Sequence, residues 1–267
     1  MSKKSQSRQN PAVLLVLLVL IAVLAVVVYL RRDCILAVFQ PNDDSEIGRN
    51  SLPEPSGDTA VEQEAVAKLR ARKIDGKAAY LVITEPPDKR ATSVNFLGNP
   101  VDDEVLEQVG KLYRLSALNA DKCEIADEQL KRLAGLTVMA SLVLSDTPIS
   151  DDGLAHLRPL KGIEALHLTG TRITNRGLDH LAALENLKIL NLSRTKVDDE
   201  GLKKLLPLTG LKWLLLAETE VADAGLETLA AMKNLGRLTI NDTKVTPEGI
   251  AKLKQANPKL SVDYAPP

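Results

Sequence analysis

The sequence predicts an α/β solenoid, with short parallel strands stacked along a concave face and helices on the convex side. A threonine returns every 24 residues, at Thr147, Thr171, Thr195, Thr219 and Thr243. Around it an apolar frame keeps register. Leu187, Leu190, Leu192, Val197, Gly201, Leu202, Leu205 and Leu208 recur one period later as Leu211, Leu214, Leu216, Val221, Gly225, Leu226, Leu229 and Met232. Within each period the apolar spacing changes from two, a strand with one buried side, to three, one face of a helix. Self-similarity at a fixed interval of this length marks a stack in which each unit buries its apolar face only against its neighbours.

The first element precedes the repeats. After a basic tail (residues 1–11), Ala12 to Leu30 runs for nineteen residues without a charge. As a helix it would span roughly 28 Å, the thickness of a bilayer core. Tyr29-Leu30-Arg31-Arg32 offers no small-residue cleavage site, and Arg32-Asp33 before Cys34 does not fit a lipoprotein signal. The expectation is therefore an uncleaved single-pass transmembrane anchor. Lys3, Lys4 and Arg8 outnumber Arg31 and Arg32, which puts the N-terminus in the cytoplasm and the repeats in the periplasm or outside. Residues 31–58, rich in Pro, Ser, Asn, Asp and Glu from Gln40 onward, read as a flexible linker. Thr59-x-x-Glu62 opens an amphipathic stretch with Val61, Ala65, Val66 and Leu69, and Ala79 to Ile83 reads as a strand. Residues 59–88 are thus expected to cap the solenoid.

Seven repeats follow over residues 89–256, the first two carrying Asn99 and Cys123 where the others carry threonine. In each, the residue after the strand sits where the chain turns, and its short polar side chain is expected to bond backbone groups of adjacent turns. Ser150, Thr174, Asp198 and Thr246 stand at helix N-caps, with Pro247 at a first helical position and acidic pairs such as Asp199 and Glu200 in the first turn. Ala126 and Ala222 supply no cap. Gly153, Gly177, Gly201, Gly225 and Gly249 recur in the first helical turn, where glycine is unfavourable, so a close backbone approach is expected there. Residues 257–267 close the chain with Asn257-Pro258 and a terminal strand near Leu260-Ser261-Val262.

The pattern Leu-x-x-Leu-x-Leu-x-x-Thr-x-Ile-Thr-x-x-Gly-Leu-x-x-Leu resembles the leucine-rich repeat family, in a short variety related to the cysteine-containing class. Cys123-x-Ile125-x-Asp127 keeps that class's cysteine. The resemblance implies a curved solenoid and a role in binding another macromolecule; it names no partner.

Composition excludes several functions. Net charge is −1 with no concentrated basic stripe, against nucleic-acid binding. Two cysteines, Cys34 and Cys123, cannot make a disulfide framework. No phosphate loop, nucleophile elbow, Cys-x-x-Cys or metal-ligand spacing occurs, so no catalytic residue, metal or cofactor is expected. His156 and His180 read as solvated residues of the convex side. Asn191-x-Ser193 and Asn241-x-Thr243 match the glycosylation pattern by coincidence.

What remains is the concave face. Its exposed columns are small or polar except at Ile189, Trp213 and Leu215, on two neighbouring strands, with His167, Asn191 and Arg237 at the rim. An apolar centre holding the only tryptophan, ringed by polar groups, has the composition of a binding hot spot. The bland alternative is that these strand residues merely cover one another. The expected function is a membrane-anchored, non-enzymatic module recognising a protein or peptide partner. Its alternatives are an envelope-organising structural protein and a cytoplasm-facing scaffold.

Overall fold

The computed structural model describes residues 59–74, 77–85, 90–96 and 98–265, all within the second of the chain's two units, Arg49–Pro267. The basic tail, the expected transmembrane segment and the linker lie outside the described residues. Among those described, no helix is long and apolar enough to cross a membrane.

One nine-stranded sheet runs through the molecule: β3 (Leu81–Glu85), β4 (Arg90–Asn95), β5 (Ala117–Asn119), β6 (Ser141–Val143), β7 (Ala165–His167), β8 (Ile189–Asn191), β9 (Trp213–Leu215), β10 (Arg237–Thr239) and β11 (Ser261–Asp263), in sequence order across the sheet. From β4 to β11 all pairing is parallel, each residue facing its counterpart 24 positions on, as Ile189, Trp213, Arg237 and Ser261 do. The period thus appears directly as register. β3 pairs antiparallel with β4 and closes the N-terminal edge. A small hairpin of β1 (Lys73–Ile74) and β2 (Lys77–Ala78) stands apart from it.

Helix α1 (Thr59–Ala71) packs Ala65, Val66 and Leu69 onto the first repeat, and its buried Glu62 accepts the Arg114 amide at 3.2 Å. After it come α2 (Asp103–Gly110), a 3-10 turn (Asp127–Leu133), α3 (Asp151–Ala155), α4 (Leu178–Leu181), α5 (Asp199–Lys203), α6 (Asp223–Leu229) and α7 (Pro247–Ala256). The convex segments of the middle repeats are only four or five residues long. The frame leucines form one continuous core, most of them fully buried.

The threonines do what a turn hydroxyl can, but within their own turn. Each donates to the carbonyl three residues back, Leu144, Leu168, Leu192 and Leu216 at 2.6 Å and Ile240 at 3.0 Å. The Cys123 thiol approaches the Asp121 carbonyl at 3.6 Å, and only Asn99 also reaches another segment, the Ala79 carbonyl at 2.5 Å. The residue before each threonine is left-handed: Lys122, Asp146, Arg194, Glu218 and Asp242 have φ of 54–59°, and Gly98 and Gly170 share the position. This turns the amide of Lys122, Asp146, Gly170, Arg194, Glu218 and Asp242 onto a carbonyl of the following repeat or cap, extending the ladder one bond past the strand.

The recurring glycines have a different cause from the one expected. Asp127, Asp151, Asp199 and Asp223 each reach forward one repeat, accepting at 2.8 Å the amides of Ser150, Thr174, Ala222 and Thr246. The hydroxyls of Ser150, Thr174 and Thr246 donate to the second carboxylate oxygen. Asn175 takes the part in its repeat, accepting the Asp198 amide at 3.1 Å and donating to its carboxylate at 2.6 Å. A Cβ at Gly153, Gly177, Gly201, Gly225 or Gly249 would lie 2.1–2.5 Å from the Oδ1 of these same side chains. The close approach is therefore a side chain of the preceding repeat, not its backbone. Where Gln129 replaces glycine it becomes the relay, donating to Asp103 and accepting the Ala126 amide, both at 2.8 Å. The caps divide accordingly. Asp198 and Thr246 accept amides of their own helices, whereas Ser150 has no such bond and spends its hydroxyl on Asp127. Thr174 is separated from α4 by a turn at residues 175–177. Ala126 and Ala222 make no side-chain cap, as expected.

Candidate functional site

The sheet register places the predicted residues in two adjoining columns of the concave face. Ile189, Trp213 and Arg237 occupy consecutive positions in one; His167, Asn191 and Leu215 in the next. All six are therefore brought together across β7 to β10. Alternation decides which side they take: Leu166, Leu190, Leu214 and Leu238, between them in sequence, are fully buried beneath.

Ile189, Trp213 and Leu215 are half-buried, so the apolar centre is partly covered by its own neighbours. Chief among these is Arg237, exposed, with its guanidinium carbon 4.6 Å from the centre of the Trp213 ring. That contact joins the charge of the cation to the negative face of the indole and holds the ring in place. The Trp213 Nε1 and the His167 Nε2 are both buried with no hydrogen-bond partner. Burial also lowers the His167 pKa below its usual value, so the imidazole is neutral at pH 7. Asn191 is committed in part: its Oδ1 accepts the Ser193 amide at 3.0 Å.

Lys212 was not among the predicted residues. It is exposed one position before Trp213, and its carbonyl accepts the Arg237 amide at 3.0 Å. Among the described residues neither Lys212 nor Arg237 pairs with a carboxylate, whereas the preceding Lys188 is held by Glu164 at 2.8 Å. The sequence signal was present in Lys212-Trp213, but the residue falls outside the alternating columns from which the patch was read. At the far side of the strands Arg194 pairs with Asp146 at 2.6 Å across Gly170, whose Cβ would lie 2.2 Å from that carboxylate.

Chemistry of other kinds finds little support. Among the described residues no group of three or more His, Cys, Asp or Glu could hold a metal ion. Cys123 is buried, and burial followed by the nearby Asp121 pushes its thiol up to about 11, which makes it a poor nucleophile. His156 is half-buried on the convex side with Nε2 3.9 Å from Glu128. In Asn241-x-Thr243 the Thr243 hydroxyl is buried and bonded.

The family model for the leucine-rich repeat matches residues 183–206. No curated protein matches the chain in sequence. Among solved structures, internalin C2 of Listeria monocytogenes is 20% identical and covers 77% of this chain and 92% of its own, with a TM-score of 0.50. A leucine-rich-repeat protein of Leptospira interrogans is 19% identical, covering 59% of this chain and 45% of its own at a TM-score of 0.45. The plant peptide hormone receptor RGFR1, solved with RGF2, is 15% identical and covers 60% of this chain and 26% of its own at 0.41. The likeness to internalin C2 concerns the fold. Register, turn and ladder recur at the same interval in β4 to β10, and one full period matches the family model, so the solenoid has the leucine-rich-repeat fold.

Proposed function

We propose that the chain is a non-enzymatic interaction module whose concave face recognises a protein or peptide partner. The observation that carries this is the Trp213 centre. Three large apolar side chains, Ile189, Trp213 and Leu215, occupy neighbouring positions on a sheet face whose other residues are mostly small or polar, with Arg237 against the Trp213 ring. Rigid, partly desolvated aromatic anchors with a polar surround supply most of the energy in known interfaces. Ala12 to Leu30 would anchor the module as a single span, with the repeats periplasmic or extracellular, and confinement to the surface would raise the effective concentration of the partner.

The test is crosslinking in intact cells followed by capture, comparing wild type with Trp213→Ala/Leu215→Ala. A partner lost in the double variant, with an unchanged melting curve, supports the concave face. Equal capture by both moves the interface elsewhere. A second reading, a structural protein contacting wall polymer or like molecules through its outer surface, has one observation in its favour. Leu206 is 42% exposed beside a convex groove of about 200 Å³ lined by Leu208, Leu211 and Met232. Protease access to the Gln40–Asp58 tether from one side of the membrane separates both from a cytoplasm-facing scaffold.

A further inference from the structure

Resting on the concave-face reading, we propose that the segment recognised there is acidic: it sets an apolar side chain against Trp213 and Leu215 and a neighbouring carboxylate against Arg237 and Lys212. The argument is one of charge complementarity. Lys188, one repeat before Lys212, is matched by Glu164, and Arg194 by Asp146. Arg237 stands beside Trp213 on β10 and Lys212 immediately precedes Trp213; both are exposed, and neither has a carboxylate among the described residues. Arg237 lies over the Trp213 ring with its guanidinium carbon 4.6 Å from the ring centre, and a guanidinium carries the forked N–H donors that suit a carboxylate. The rim residues Asn191, His167 and Thr239 are uncharged polar groups, and the carboxylate of this column, the exposed Asp263, stands one strand beyond Thr239 on β11. A basic partner would instead meet two uncompensated like charges.

Trp213 is the only tryptophan in the chain, so its fluorescence reports this site alone. The experiment titrates the full chain, in neutral detergent, with three blocked hexapeptides: alternating leucine–glutamate, leucine–glutamine and leucine–lysine. The expected result is a saturable change in Trp213 emission with the glutamate peptide, at about tenfold tighter binding than the glutamine peptide at low salt and less at high salt. Arg237→Gln/Lys212→Gln, with its melting curve checked, should abolish that preference, so that the variant binds the glutamate and glutamine peptides equally. Equal binding of the glutamate and glutamine peptides, or a preference that survives the double variant, overturns the acidic assignment and leaves the concave interface standing. No response to any peptide, while capture still depends on Trp213 and Leu215, also overturns it. Capture that ignores Trp213 and Leu215 defeats the underlying reading instead.

Discussion

Gly225 is a helical residue whose Cβ would lie 2.4 Å from Asp199 Oδ1 and 2.8 Å from Leu202 Cδ1. Propensity alone says Gly225→Ala should stabilise α6 by up to about 1 kcal/mol. The ladder says the reverse, a loss of about 1–3 kcal/mol, because a carboxylate with a fixed bond to Ala222 must move. In the Asp199→Ala background the same change should cost much less, and a denaturant double-mutant cycle measures the difference. The left-handed position predicts the opposite sign. Glu218 has φ 55°, where glycine is unstrained, so Glu218→Gly should raise stability by about 1 kcal/mol in chemical denaturation. Thr219→Val keeps shape but removes the hydroxyl bonded to Leu216 and should cost about 1–2 kcal/mol.

At the scale of elements, the joints between repeats are held by carboxylates as well as by leucine. The Val105 amide, then the Arg72 guanidinium, hold the Asp102 carboxyl below its ordinary range at the start of α2. Gln129 and then Arg132 do so for Asp103, and the Asn175 amide does so for Asp198 at the cap of α5. A folded-state value below the unfolded one means stability that is present at neutral pH and lost as pH falls below about 4. Acid should therefore loosen these joints before the leucine core responds. Hydrogen exchange followed from pH 7 down to about 3 should show protection falling first at α2 and α5. Asp102→Asn should flatten the acid limb of the melting temperature, since the amide cannot titrate.

At the scale of the molecule, the described repeats share one register and pack chiefly on their neighbours, with Arg194 reaching Asp146 across one intervening repeat. Deleting Leu187–Gly210, one whole period, joins Asn186 to Leu211 with every frame position conserved, and leaves Asn175 facing Ala222 in place of Asp198. The shortened chain should fold with its circular dichroism intact and unfold in one transition at a lower denaturant midpoint. Deleting half a period would put strand against helix and should abolish cooperative unfolding. The Trp213 site would vanish in the first variant's measurements only through lost Ile189 and Asn191, since Trp213, Leu215 and Arg237 remain on adjacent strands.

Much of this was legible because a stack of identical units turns sequence spacing into space. The 24-residue interval is the strand register, so the strands, the buried leucines and the grouping of Ile189, Trp213 and Leu215 with His167, Asn191 and Arg237 could be read from the chain alone. Tertiary structure decided what passes between units through side chains. Asp127 reaching Ser150, Arg194 reaching Asp146 over Gly170, and Arg237 lying on Trp213 depend on rotamers and on the lateral offset of neighbouring turns. A one-dimensional period fixes which residues are neighbours, but only the folded backbone determines which of their atoms meet.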